Sequence, residues 1–137
     1  MSGFTMEIPT LTTAGAKHVL AAAEAAAAAN GLKVSIAVVD AAGHLLAFTR
    51  RDRAAPLSVA VALAKARTAA ELGAPTSVFQ QMVDGGKPSL LAVEGLTAAK
   101  GGVPIMHGGN AIGGIGVSGA SGEEDEQVAE AGAAAFV

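Results

Sequence analysis

Val34-Ser35-Ile36-Ala37-Val38-Val39-Asp40, then Ala41-Ala42-Gly43, then His44-Leu45-Leu46-Ala47-Phe48-Thr49-Arg50 is the stretch that decides the fold class. The first seven residues are mostly β-branched and apolar over the length of a strand. Ala41-Ala42-Gly43 makes a tight connection, and the next run returns. Together they read as a β-hairpin.

Working outward, Thr12 or Thr13 can cap a helix, because a side-chain oxygen there accepts an otherwise orphaned backbone N–H. The helix runs through Lys17, His18, Val19, Leu20, Glu24 and the alanines, and Asn30-Gly31 stops it. Beyond the hairpin, Arg51 to Pro56 is a charged loop, and Leu57 to about Leu72 reads as a second helix. Gly73-Ala74-Pro75 ends it. Thr76 or Ser77 can cap a third helix through Met82-Val83, and Ser89 to Lys100 reads as short extended pieces.

Gly102 to Met106 and Asn110 to Val117 read as the last two strands, joined at His107-Gly108-Gly109. Glu123-Glu124-Asp125-Glu126 suits the first turn of a final helix reaching about Ala135, since acids there complement the helix dipole. Antiparallel strands with helices set around them make an α+β domain rather than a parallel α/β sheet. The 137 residues form one domain with residues 1–10 as an N-terminal extension, because no linker divides the chain.

The composition is 51% hydrophobic, 15% charged and 3% aromatic, with 33 alanines and 18 glycines. A core of such small side chains favours close contact of helix and sheet over aromatic packing. Nine basic and twelve acidic residues leave a net charge of −3, which argues against nucleic acid as a partner. With no cysteine, disulfides, thiolate catalysis and cysteine-based metal sites are excluded. No basic region followed by an apolar run opens the chain, and no apolar run approaches a bilayer's thickness. A cytoplasmic protein with no membrane partner is expected.

Gly113-Gly114-Ile115-Gly116-Val117-Ser118-Gly119 invites comparison with a dinucleotide fingerprint. Its glycines lie inside a strand near the C-terminus, with too little chain left for a βαβ unit. It is also not a phosphate-binding P-loop, because no Gly-Lys-Ser/Thr follows. The glycines therefore serve as a structural or pocket wall, with Ser118-Gly119 able to face an anion. His18, His44 and His107 fall on separate elements, so no metal-pair spacing exists. His44 reads as a solvated turn residue, and His107 sits at a turn that could line a pocket mouth. His18 has Ala14 and Ala22 one turn away on either side, which leaves room for a flat ligand, and imidazole ligates haem iron. Its plain alternative is a boundary histidine on an amphipathic helix. Arg50 and Lys65 suit a carboxylate or phosphate, with ordinary solvated charge as the alternative. No spacing of serine, histidine and acid implies a catalytic triad.

The hairpin, Lys65-Ala66-Arg67-Thr68-Ala69, Gly101-Gly102-Val103-Pro104-Ile105, the segment 112–119, Asp125 and Ala129 together resemble the GlcG/HbpS family, which includes the C-terminal domain of PduO-type proteins. The resemblance runs from about Leu11 to the end. It implies a profilin-like α+β fold, with a central antiparallel sheet of about five strands flanked by helices, assembled as a dimer or larger homo-oligomer. Some members bind haem, and His18 lies where haem-binding relatives carry a histidine; His107 is a candidate second ligand. The family pattern also implies a ligand-binding set of Arg50, Lys65, Gly114, Gly116, Ser118 and His107. The pocket is expected between the first helix, the Lys65 helix and the glycine strand of one subunit or its neighbour.

The leading expectation is thus a small-ligand-binding protein taking haem or a small organic anion. One alternative is an enzyme acting on a small carboxylate, oriented by Lys65 or Arg50, with His44, His107 or Glu124 moving protons. The other is a structural accessory subunit.

Overall fold

The structure is a computed structural model and describes residues 2–136. Helix α1 spans Thr13–Ala29, strands β1 and β2 span Ser35–Asp40 and Leu45–Arg50, and helices α2 and α3 span Leu57–Leu72 and Thr76–Asp84. Strands β3 and β4 cover Gly102–His107 and Asn110–Ser118, and helix α4 covers Gly122–Ala134. The four strands form one sheet in the order β2-β1-β4-β3, with every neighbouring pair antiparallel.

The alternation along a strand distributes the core. Ile36 and Val38 of β1 join Val19 and Ala23 of α1, Ile115 and Val117 of β4, and Val128 and Ala129 of α4. Ala37 and Val39 point the other way, onto Ala62, Ala66 and Ala70 of α2. So α1 and α4 cover one face of the sheet and α2 covers the other. The small-residue composition acts at that second contact. A Cβ built on Gly114 would lie 2.4 Å from the Ala66 carbonyl oxygen, and one on Gly116 would lie 2.1 Å from the Ala62 carbonyl oxygen. Only glycine lets the α2 backbone come so close to β4.

The helix ends follow local chemistry. Thr12 caps α1 by accepting the Gly15 N–H at 3.0 Å. Ser121 opens α4 with a reciprocal box: it accepts the Glu124 N–H at 3.1 Å, while the Glu124 carboxylate accepts the Ser121 N–H at 3.2 Å. Ser121→Ala removes one of these bonds and should cost about 1 kcal/mol of stability. Urea denaturation would show it as a lower midpoint with an unchanged slope. An unmoved midpoint would mean that the box is idle.

Two expectations are corrected. The sheet has four strands rather than about five, because residues 89–100 supply none. Pro88–Ala92 is instead a 3-10 turn, and the chain after it is pinned by the Thr97 N–H donating to Thr68 Oγ1 at 2.9 Å. Thr76 does not cap α3. Pro75 takes the N-cap position, and the buried Thr76 hydroxyl accepts the Gly102 N–H at 3.0 Å. That bond ties the start of α3 to the start of β3.

Candidate functional site

An open cleft of about 810 Å³ is walled by α2, α3, the loop before β3 and the start of α4. Helix α2 presents Leu57, Val61 and Lys65 to it at intervals of four, which is one helical stripe. Ser118, at the end of β4, and Lys100, just before β3, also line it.

Lys65 is 3% exposed. Its ammonium donates to the Val117 carbonyl at 2.8 Å and to Asp125 Oδ2 at 3.0 Å. The second Asp125 oxygen accepts the Ala120 N–H at 3.0 Å. This buried ion pair ties the middle of α2 to the end of β4 and the first turn of α4. Asp125 as the partner of Lys65 is a contact that sequence reasoning missed. The signal was present: Ser58, Ala62, Lys65, Ala66 and Ala69 share the buried face of α2, and a lysine on such a face requires a counter-charge. Lys100 also went unnoticed. Its Nζ lies 3.9 Å from carboxylate oxygens of both Glu123 and Glu126, too far for hydrogen bonds.

The expected site residues separate. Lys65 and Ser118 share the cleft. Gly114 and Gly116 lie against the α2 backbone, which fills the space above them. Arg50 is exposed at the end of β2 and donates through Nε to the Ala54 carbonyl at 3.3 Å. His44 is exposed in the β1–β2 turn. Glu124 belongs to the α4 capping box. His107, at the end of β3, sets its ring edge-on to Phe136 with centroids 5.9 Å apart, and both border a small hollow of about 180 Å³. Within one subunit the sheet stands between α1 and α2, so the two helices do not share a pocket.

His18 is exposed on the outer face of α1. Ala14, His18, Ala21, Ala25 and Ala28 recur at intervals of four and three and are all exposed, which makes one flat apolar stripe holding a single imidazole. The ring Nε2 lies 2.9 Å from the Ala135 carbonyl oxygen. A carbonyl only accepts, so Nε2 carries a proton in this contact, and in the neutral tautomer that fits it Nδ1 has the lone pair. His18 and His107 thus both abut the end of the chain, at Ala135 and Phe136. Among the described residues no group of three histidines and acids is placed to hold a metal ion, and no helix is long and apolar enough to cross a membrane.

Comparison with known proteins agrees with this architecture. The sequence matches the family described as haem degrading protein HbpS-like over residues 11–134. The chain belongs to this family. It is 43% identical to Protein GlcG of Escherichia coli K12 over 103 residues, which covers 75% of this chain and 77% of that protein. A double mutant of HbpS from Streptomyces reticuli has the same fold at a TM-score of 0.93 and 40% identity, covering 98% of this chain and 92% of that one. A crystal structure of a PduOC:haem complex superposes at a TM-score of 0.84 with 27% identity, covering 92% of this chain and 94% of that one. The family match begins at Leu11, the first buried residue among those described, whose N–H donates to the Ile112 carbonyl at 2.9 Å.

Proposed function

We propose that this HbpS-like protein binds haem on the outer face of α1, with His18 as the iron ligand. The observation that carries this reading is the exposed imidazole set in an alanine stripe, in a chain whose relatives include a domain crystallised with haem. The residues suit the group. Alanines at 14, 21, 25 and 28 allow a flat macrocycle to approach the helix, and imidazole is a common axial ligand. The Ala135 carbonyl plays the part of the partner that holds a ligating histidine in one tautomer and orientation. His18 would hold iron through Nδ1 with this hydrogen bond still in place. Haem bound there would supply an iron centre for electron transfer and exchange of small ligands. Lys65 and Ser118 lie across the sheet and have no part in it, and His107 is the candidate second ligand nearest the same chain end.

Titration of the purified protein with hemin should give a saturable shift of the visible Soret band. His18→Ala should weaken binding by at least tenfold, which is the scale of one lost coordination or hydrogen-bond contact. Equal, non-saturating absorbance in both proteins would overturn the reading.

A further inference from the structure

We propose that the cleft between α2, α3 and the start of α4 is a separate binding site for a small organic acid, one carboxylate carried on a short apolar body. The inference does not rest on the haem reading.

The inner wall offers donors with unused capacity. Ser118 is 9% exposed, yet its hydroxyl has no hydrogen-bond partner among the described residues. Its neighbour in register, Ser35 on β1, faces the same side of the sheet and pairs with Ser58 Oγ at 2.7 Å. The lack of a partner is therefore particular to Ser118, the serine that lines the cleft. A hydroxyl so placed is satisfied by what occupies the cleft. Lys65 has three N–H bonds and two protein acceptors. Lys100, which also lines the cleft, is a third donor, with its Nζ 3.9 Å from carboxylate oxygens of Glu123 and Glu126.

Charge and shape then select the ligand. Three carboxylates also line the cleft: Asp125 is already balanced by Lys65, Asp84 is exposed at the end of α3, and Glu123 stands in solvent with 73% of its side chain exposed. An amine reaching the inner wall would meet two ammonium groups, whereas a carboxylate would accept from Ser118, Lys65 and Lys100. At the start of α4 the capping box uses the Ser121 and Glu124 N–H groups. Leu57, Val61 and Leu91 form the apolar side of the cleft, and a cleft of this volume is in the range that holds a small organic molecule.

The test is benzoate titration of the ¹⁵N-labelled full chain. Sodium benzoate should shift the amide signals of Ala98, Ala99, Ser118, Ala120 and Gly122 to saturation. Ser118→Ala should weaken it about tenfold, the scale of one hydrogen bond to a charged group. Lys100→Gln should weaken it several-fold and flatten its salt dependence. Benzamide, which keeps the ring but lacks the charge, should bind about tenfold more weakly. His18→Ala should leave benzoate affinity unchanged, which separates this site from the haem site. The proposal fails if neither benzoate nor hexanoate gives saturable shifts at tens of millimolar. It also fails if both cleft variants bind like the wild type, or if benzamide matches benzoate.

Discussion

Asp125→Ala should destabilise the protein by about 3–5 kcal/mol, the cost of stripping one partner from a buried ion pair. The substitution leaves the Lys65 ammonium, 4% exposed at its side chain, with the Val117 carbonyl as its one remaining acceptor. It also strips the Ala120 N–H of its acceptor. A typical domain has only about 5–15 kcal/mol in total, so the loss would be a large share of the stability. Replacing both partners by apolar residues, Lys65→Met with Asp125→Leu, should recover much of the loss, because the buried charge goes and only the Ala120 N–H stays unmet. Glu123→Ala breaks only an exposed contact with Lys100 and should cost about 1 kcal/mol or less. Urea midpoints of the four proteins decide the matter. A loss below about 1 kcal/mol for Asp125→Ala would show that the pair is not what joins α2 to α4.

Gly116→Ala should cost about 3 kcal/mol or more, at the upper end of overpacking changes. Its Cβ would sit 2.1 Å from the Ala62 carbonyl oxygen, 2.4 Å from the Ala66 nitrogen and 3.0 Å from Lys65 Cβ. The two closest atoms are helix backbone, which cannot rotate aside, so α2 as a whole must lift off β4. Gly3→Ala is the control, because its Cβ meets nothing within 4 Å, and it should stay within about 0.5 kcal/mol. Thermal melts of the two variants check this. A Gly116→Ala protein as stable as the control would mean that the close α2–β4 contact is not needed.

Much of the fold was legible in the sequence because local signals agreed with tertiary ones. The β-branched run at 34–40 became β1, buried over Ser35 to Val39. The alanine-rich stretch stopped at Asn30-Gly31, where Gly31 takes a φ of 63°. Ser89 to Lys100 misled because Leu91 and Val93 look like strand residues but are half exposed and pair with no neighbour. Strand propensity without a partner does not make a strand. The site was less legible for a similar reason. Lys65 and Ser118 were identified singly, but the partner of Lys65 is far away in sequence: Asp125 lies 60 residues from it. No local spacing encodes such a contact. The glycines at 114 and 116 carried a packing message that reads, in one dimension, like a ligand loop.

Chemical rescue tests the proposed haem ligand, His18, most directly. His18→Gly should lose the imidazole-ligated signature of the ferric complex in electron paramagnetic resonance, and free imidazole in the buffer should restore it by filling the vacated position. A wild-type spectrum that persists unchanged in His18→Gly without added imidazole would contradict the account and move the iron elsewhere.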